Sequence, residues 1–205
     1  LPGLFIAGGL GAHYLGGVGP SSYDGKVAGE AAAAAAARSA KPAVPQQALA
    51  AEQRRVFGFL SADGAGVRPM AAKLRIREIM WELGYVKNEK KLNAALEGLL
   101  AVREQMVPKF RLPSASRSWN TGWMDALDAC SMIDACEAMV RSALLRKESR
   151  GPFYREDYPF VDNENWLRKN ILIRDGGEWK SRIEPYSLPH LKPEKSREPF
   201  FESDF

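Results

Sequence analysis

The feature that most limits what this chain can fold into is its opening. Glycines at positions 8, 9, 11, 16, 17 and 19 are followed by seven consecutive alanines from Ala31 to Ala37. Glycine reaches positive φ without penalty and has no Cβ to hold a backbone away from a flat ligand. The apolar run from Leu4 to Ala7 reads as a short buried strand, and the small-residue stretch behind the loop as a helix starting near Ser21 or Ser22. A helix N-terminus offers free N–H groups and the positive end of a dipole, which suits a phosphate or an electron-rich ring. Spacing excludes one use of the loop: a dinucleotide fingerprint needs G-x-G-x-x-G, and the residues three after Gly11 and Gly19 are Tyr14 and Ser22. Two readings stay open on spacing, one side of a cofactor site whose other side lies elsewhere, or a glycine-rich connector. A chain that opens in mid-strand without Met is expected to be the later part of a longer polypeptide.

Charge and cysteine usage remove several function classes. The net charge of +4 is concentrated in residues 46–110, where eleven basic side chains face seven acidic ones. Glu52, Glu78, Glu82, Glu89, Glu97 and Glu104 interrupt that excess, so it reads as solvated helix faces, with no nucleic-acid footprint. No apolar run reaches membrane-spanning length, so no direct membrane span is expected. Cys130 and Cys136 lie six apart on one expected helix, about 9 Å of rise, too far for a disulfide. They read as small core residues in a reducing compartment. With only His13 and His190 besides, no zinc ligand set can be assembled.

Ser39 to Pro45 marks the clearest boundary in the sequence. Helical spacing then predicts four helices: Gln46 to Phe59; Arg68 to Leu83, ended by Gly84; Glu89 to Val107, capped by Asn88; and a long one from Asn120 to Glu148. The expected inner stripes are Met70, Leu74, Ile76, Ile79, Met80 and Leu83 on the second, and Leu92, Leu96, Leu99, Leu100 and Met106 on the third. On the long helix the stripe is Trp123, Leu127, Cys130, Ile133, Ala138, Met139, Ala143 and Leu144. Together they predict an antiparallel bundle. Beyond Gly151 the chain is rich in Pro, aromatic and charged residues. Asn170 to Arg174 and Glu178 to Ile183 can form a hairpin around Gly176-Gly177, and the tail is expected to wrap over the rest with Phe200, Phe201 and Phe205 as anchors.

The stretch from Ser142 to Leu167 carries a resemblance. Ala143, Leu144, Arg146, Glu148, Ser149, Arg150 and Gly151, then Arg155, Asp157, Tyr158, Pro159, Asp162 and Trp166, resemble the A-L-x-R-x-E-S-R-G and R-x-D-Y-P motifs of the succinate dehydrogenase and fumarate reductase flavoprotein subunits. The opening agrees independently. Gly3 to Gly9 resembles that family's last flavin-domain strand, and Leu15-Gly16-Gly17 with Gly25 to Ala32 resembles its glycine loop and following helix.

The resemblance implies an α+β fragment, mainly α: residues 1–40 as the C-terminal strand–loop–helix of an FAD-binding α/β domain, 41–150 as an antiparallel helical bundle, and 151–205 as an extended wrapping tail. It implies FAD as cofactor, with Gly8, Gly9, Leu15, Gly16, Gly17, Ser21 and Ser22 near the isoalloxazine, and hydride transfer at flavin N5 to or from a small organic acid. Expected partners are the upstream flavin-binding portion and an iron–sulfur electron-transfer subunit. The expected place is the cytoplasm, or the cytoplasmic face of a membrane through a partner. Three positions depart from the family pattern: Gly9 stands where a Glu meets the ribityl chain, Tyr14 where an Arg binds the substrate carboxylate, and Phe153 where a His follows S-R-G. A phenol gives one neutral hydrogen bond where a guanidinium gives two charged ones, so the substrate is left open, and Tyr14 and His13 are the candidate substrate-orienting or proton-relay groups. An adenylylsulfate reductase-like flavoprotein and a non-catalytic helical docking module are the alternatives. Glu148, Arg150, Arg155 and Asp157 read as a structural ion-pair network joining the bundle to the flavin domain.

Overall fold

The computed structural model of the chain describes residues 3–8, 17–41, 43–61, 65–190 and 193–201. Gly9, His13, Tyr14, Leu15, Gly16 and Phe205 lie outside the described residues. The architecture is mainly helical, with three two-stranded sheets among the described residues, and it divides into two compact units, Leu1–Glu52 and Gln53–Phe205.

In the first unit the expected strand is missing. Leu4, Phe5 and Ile6 are 61, 40 and 55% exposed and form no ladder, because a strand needs a neighbour to take its N–H and C=O groups and the described residues of this unit supply none. Helix α1, Val18–Arg38, starts three residues ahead of Ser21 with Gly17 at its N-cap, and none of its residues is buried. Alanine alone favours the helical state there. Helix α2, Gln46–Phe57, runs across the boundary between the units and ends in a 3₁₀ turn, Gly58–Ser61.

The second unit is built on three helices whose ends the sequence marks. Helix α3, Pro69–Leu83, has proline in its first turn and stops at Gly84, at φ 60°. Helix α4, Glu89–Gln105, and helix α5, Thr121–Leu145, are capped by Asn88 and Asn120, whose side-chain oxygens accept from Lys91 N at 2.8 Å and Trp123 N at 3.0 Å. Side-chain contacts fix their directions. Lys73, early in α3, reaches Asp125 at 2.8 Å and Asp128 at 3.1 Å, early in α5; Arg103, late in α4, pairs with Asp134 and Glu137, midway along α5. The bundle therefore runs up, down, up. Its core is Ala72, Ile76, Ile79 and Leu83 of α3, Leu92, Ala95, Leu99 and Val102 of α4, and Ala126, Ala129, Ile133, Val140 and Ala143 of α5, with Phe110 beside them.

Several expected stripe residues face outward instead. Met70, Leu74 and Met139 are 44, 49 and 62% exposed, because alanines take the tight inner positions: Ala72, Ala95, Ala126 and Ala129 let three helices approach closely. Gly98 serves the same approach, since a Cβ there would stand 3.0 Å from Ile79 Cδ1. Trp123 is half-buried and its indole N–H donates to Val56 O at 2.7 Å. Cys130 and Cys136 are free, as expected.

Beyond α5 the chain pairs in short pieces. Strand β1, Val86–Lys87, lies parallel to β2, Tyr154–Arg155. Strand β3, Phe160–Asp162, leads through the one-turn α6, Asn163–Trp166, and is joined antiparallel by β6, Arg197–Pro199. Between them β4, Arg168–Asp175, and β5, Glu178–Pro185, form the expected hairpin, longer than the sequence suggested, around Gly176 and Gly177 at φ 60° and 92°. The tail does return: Phe200 N donates to Pro159 O at 3.0 Å, and the rings of Phe200 and Phe201 lie 5.3 and 5.2 Å from that of Tyr154.

Candidate functional site

Each unit holds one candidate region. In the first, Gly8 and Gly17 adopt φ 66° and 127°, so glycine is required at both. A Cβ on Gly8 would stand 3.3 Å from Ser21 Oγ, which places the Gly8 backbone close to the first turn of α1. Among the described residues no side chain caps that turn, and no acidic residue stands within it; Val18 and Gly19 have amides without an intrahelical acceptor, while Ser21 N bonds to Gly17 O at 3.2 Å. Ser22 donates its hydroxyl proton to Val18 O at 2.7 Å, leaving it an acceptor for anything else. Uncapped amides, the positive helix end and a bare glycine backbone fit the edge of an electron-rich ring. Of the expected cofactor residues, then, Gly8, Gly17, Ser21 and Ser22 sit around the start of α1.

In the second unit the residues after α5 form a charged knot. Glu148 is fully buried and accepts from Arg146, from Arg150 Nε and Nη2 at 2.9 Å each, and from the backbone N–H of Asp162 at 2.9 Å. Arg155 is 1% exposed. Its Nη1 donates to the carbonyls of Ala143, Leu144 and Arg146 at 2.8, 3.3 and 3.0 Å, ending α5 from outside the helix. Its Nε and Nη2 grip Asp157 at 2.9 and 2.5 Å, and its guanidinium lies 4.6 Å from the Tyr158 ring centroid. Asp157 also accepts from Glu89 N at 2.9 Å, at the start of α4. The Arg155 hydrogen bonds, stronger than the opposing burial, hold the Asp157 carboxyl below its ordinary value. Ser149 closes the turn by accepting from Arg155 N at 2.9 Å and donating to Tyr158 O at 2.9 Å. Every charge in this knot is spent on another part of the fold, which is the arrangement of a structural clamp. Among the described residues no group of His, Cys, Asp and Glu could hold a metal ion.

A family model described as fumarate reductase flavoprotein C-term matches residues 73–198, which covers the bundle, the knot and the hairpin. The chain belongs to this fumarate reductase flavoprotein C-terminal family. Two curated relatives show the extent of the match. A fumarate reductase flavoprotein subunit of Mycobacterium tuberculosis is 30% identical over 190 residues, 85% of this chain and 32% of that protein. A succinate dehydrogenase flavoprotein subunit of Rickettsia conorii is 27% identical over 185 residues, 87% of this chain and 31% of that protein. The chain thus spans 31–32% of the length of these curated relatives. Its fold is that of a solved quinol–fumarate reductase chain with menaquinol, at TM-score 0.80 and 23% identity, over 95% of this chain and 36% of that one. An E. coli quinol fumarate reductase FrdA variant gives TM-score 0.76 and 23% identity, over 86% and 31%. The family is one of flavoprotein subunits, and these relatives are named as fumarate reductase and succinate dehydrogenase subunits. No helix among the described residues is long and apolar enough to cross a membrane.

Sequence reading found the knot by its motif, Asp162 included, but missed one buried carboxylate. Glu137 is 2% exposed on the inner face of α5, where it accepts from Arg103 and, at 2.7 Å, from Arg141. Burial pushes its carboxyl up, and the hydrogen bonds from Arg103 and Arg141 outweigh it, so the group ends below its ordinary value. The available signal was an acid at the spacing Ile133, Glu137, Val140, within an apolar face. Asp162 is 4% exposed and caps α6 through Asn165 N at 2.9 Å; burial pushes it up, but Asn165 and neighbouring N–H groups bring it below its ordinary value too.

Proposed function

We propose that this chain is the C-terminal portion of an FAD-dependent oxidoreductase and supplies the flavin-ring side of its site. The observation that carries the reading is the family match over the bundle, supported by the first turn of α1 beside Gly8, which no described side chain caps. FAD, when bound, supplies hydride transfer at its N5 to or from a small organic acid. The chain's own part is to bind and orient. The Val18 and Gly19 amides face the ring edge, Gly8, Gly9, Gly16 and Gly17 with Leu15 let the backbone approach it, and Ser21 and Ser22 complete the wall. Tyr14 and His13 orient the substrate or move a proton to it. The upstream flavin-binding portion completes the site, an iron–sulfur subunit exchanges the electrons, and the assembly works in the cytoplasm or at the cytoplasmic face of a membrane through that partner.

Tyr14→Phe in the intact enzyme tests the assignment of the loop. Removing one neutral hydrogen bond, worth about 0.5–1.5 kcal/mol, should lower kcat/KM roughly two- to tenfold while the flavin absorption band stays. Unchanged turnover and KM would end the role proposed for Tyr14. The presence of Gly9 and Tyr14 at the ribityl and carboxylate positions favours a second reading of the substrate, an acceptor other than fumarate or succinate, as in an adenylylsulfate reductase-like flavoprotein. A panel of organic acids and adenylylsulfate assayed on the same preparation separates them. A preparation that is colourless even with its upstream portion would leave only a helical docking module.

A further inference from the structure

The β4–β5 hairpin packs on α5 around a groove of about 250 Å³, lined by Arg141, Leu144, Leu145, Leu172, Trp179 and Ser181. Helix α5 supplies Arg141, Leu144 and Leu145 and the hairpin supplies Leu172, Trp179 and Ser181, so the lining combines three leucines with a guanidinium, an indole N–H and a hydroxyl. Two of the three buried side-chain polar atoms that lack a hydrogen-bond partner among the described residues are on this hairpin, Asn170 Oδ1 and Trp179 Nε1, and an orphan buried donor calls for an explanation. The Trp179 indole lies close enough to Glu137 to favour its ionised form, yet closes no hydrogen bond. Arg141 gives only its Nε to Glu137, at 2.7 Å, so its two terminal nitrogens have no protein partner among the described residues.

The charges around the groove set the sign of a ligand. Arg103, Arg141 and Arg174 face Asp134 and Glu137: Arg103 pairs with both acids, Arg141 with Glu137, and Arg174 with Asp134 at 2.5 Å. Three cations against two anions leave one positive charge, and the groove-lining donors without a protein partner among the described residues are Trp179 Nε1 and the two terminal nitrogens of Arg141. At roughly 30 Å³ per water-sized group, the groove has room for roughly eight such groups. We propose that this groove binds a small carboxylate amphiphile of about that size, its carboxylate on Arg141, Trp179 and Ser181 and its hydrocarbon on Leu144, Leu145 and Leu172.

Hexanoate, hexanol and hexylammonium, titrated into the intact protein and followed by calorimetry and by tryptophan fluorescence, test the assignment. Hexanoate should bind saturably and about tenfold or more tighter than hexanol, because charge-assisted hydrogen bonds are roughly twice as strong as neutral ones. Arg141→Gln should remove that preference and keep weak binding of both. Arg141→Lys, which keeps the charge without the fork, should retain part of the preference and shows that a loss in the Gln variant is not misfolding. Leu145→Trp should fill the groove and abolish binding of both ligands with the fold intact by circular dichroism. No saturable binding at millimolar hexanoate, equal affinity for hexanol, tighter binding of hexylammonium, an unchanged preference in Arg141→Gln, or binding that survives Leu145→Trp would each overturn it.

Discussion

Helices α1 and α5 are similar in length, 21 and 25 residues, and are held in opposite ways. Helix α1 buries nothing; α5 buries Ala126, Ala129, Ile133, Glu137, Val140 and Ala143. The first is helical because alanine loses least on becoming so. The second is helical because both of its ends and one face are tied to other segments, through Asn120 at the start, Arg155 at the end and the α3 and α4 cores between. Composition can make a helix, but only position makes it bear on the rest of a fold. The chain therefore keeps its stability in the bundle, while the glycine-bounded start of α1 stands on a helix with no buried residue.

The sharpest way to break that contrast is to remove a charge from the knot. Arg155→Ala strips two α5 carbonyls, the carbonyl of its C-cap Arg146 and Asp157 of their donor. Breaking a buried pair costs about 3–5 kcal/mol, which at roughly 2–4 °C per kcal/mol for a chain of this size is a Tm lower by roughly 6–20 °C in a thermal melt. Ser22→Ala in the first turn of α1 should stay within about 0.5 kcal/mol of the parent. Equal effects at the two positions would show that the knot does not hold the bundle.

Protonation probes the same region from a second direction. Asp157, Asp162 and Glu137 all have folded values below their ordinary 3.8, 3.8 and 4.5. A depressed carboxyl contributes stability that is present above the unfolded value and is lost as pH falls through the folded one. The bundle should keep a constant Tm from neutral pH down to about the ordinary Glu value and lose it progressively below about the ordinary Asp value. The helical signal of α1, none of whose residues is buried, should fall less over that range.

How much of this was legible in the sequence depends on which interaction decides each position. Helix ends were read closely: Gly84, Asn88 and Asn120 act locally, through φ and one side-chain hydrogen bond, and local rules see them. The inner stripes were read less well. Leucine and methionine mark an apolar face, but where three helices meet closely the alanines go inside and Met70, Leu74 and Met139 are turned out. The knot was recognised as a set of charges, but its geometry was not, since Arg155 caps a helix it does not belong to. The strand at Leu4 to Ala7 failed because its pattern was right and its partner was not in reach. For the site, the glycines at 8 and 17 could be inferred from residue type alone, while the hydrogen bond that commits the Ser22 proton to Val18 O follows from the helix starting earlier than its polar residues suggest.

The smallest effect offers the finest test of the contrast, by making one substitution in both helical settings. At Gly98 a Cβ would meet Ile79 at 3.0 Å, so Gly98→Ala overpacks the α3–α4 contact and should cost about 1–3 kcal/mol. At Gly25 and Gly29 a Cβ would meet nothing within 4 Å. There alanine gains only helix propensity, roughly 1 kcal/mol each, and far-UV circular dichroism of this chain should show more helix that melts later. The proposed role adds a second arm. If α1 is a wall of the flavin domain, the upstream portion covers part of its surface, and the same two alanines should then lower flavin retention in the joined protein while still raising helicity in this chain alone. A gain in both settings would leave α1 uncovered and would remove the flavin-domain reading of the first unit.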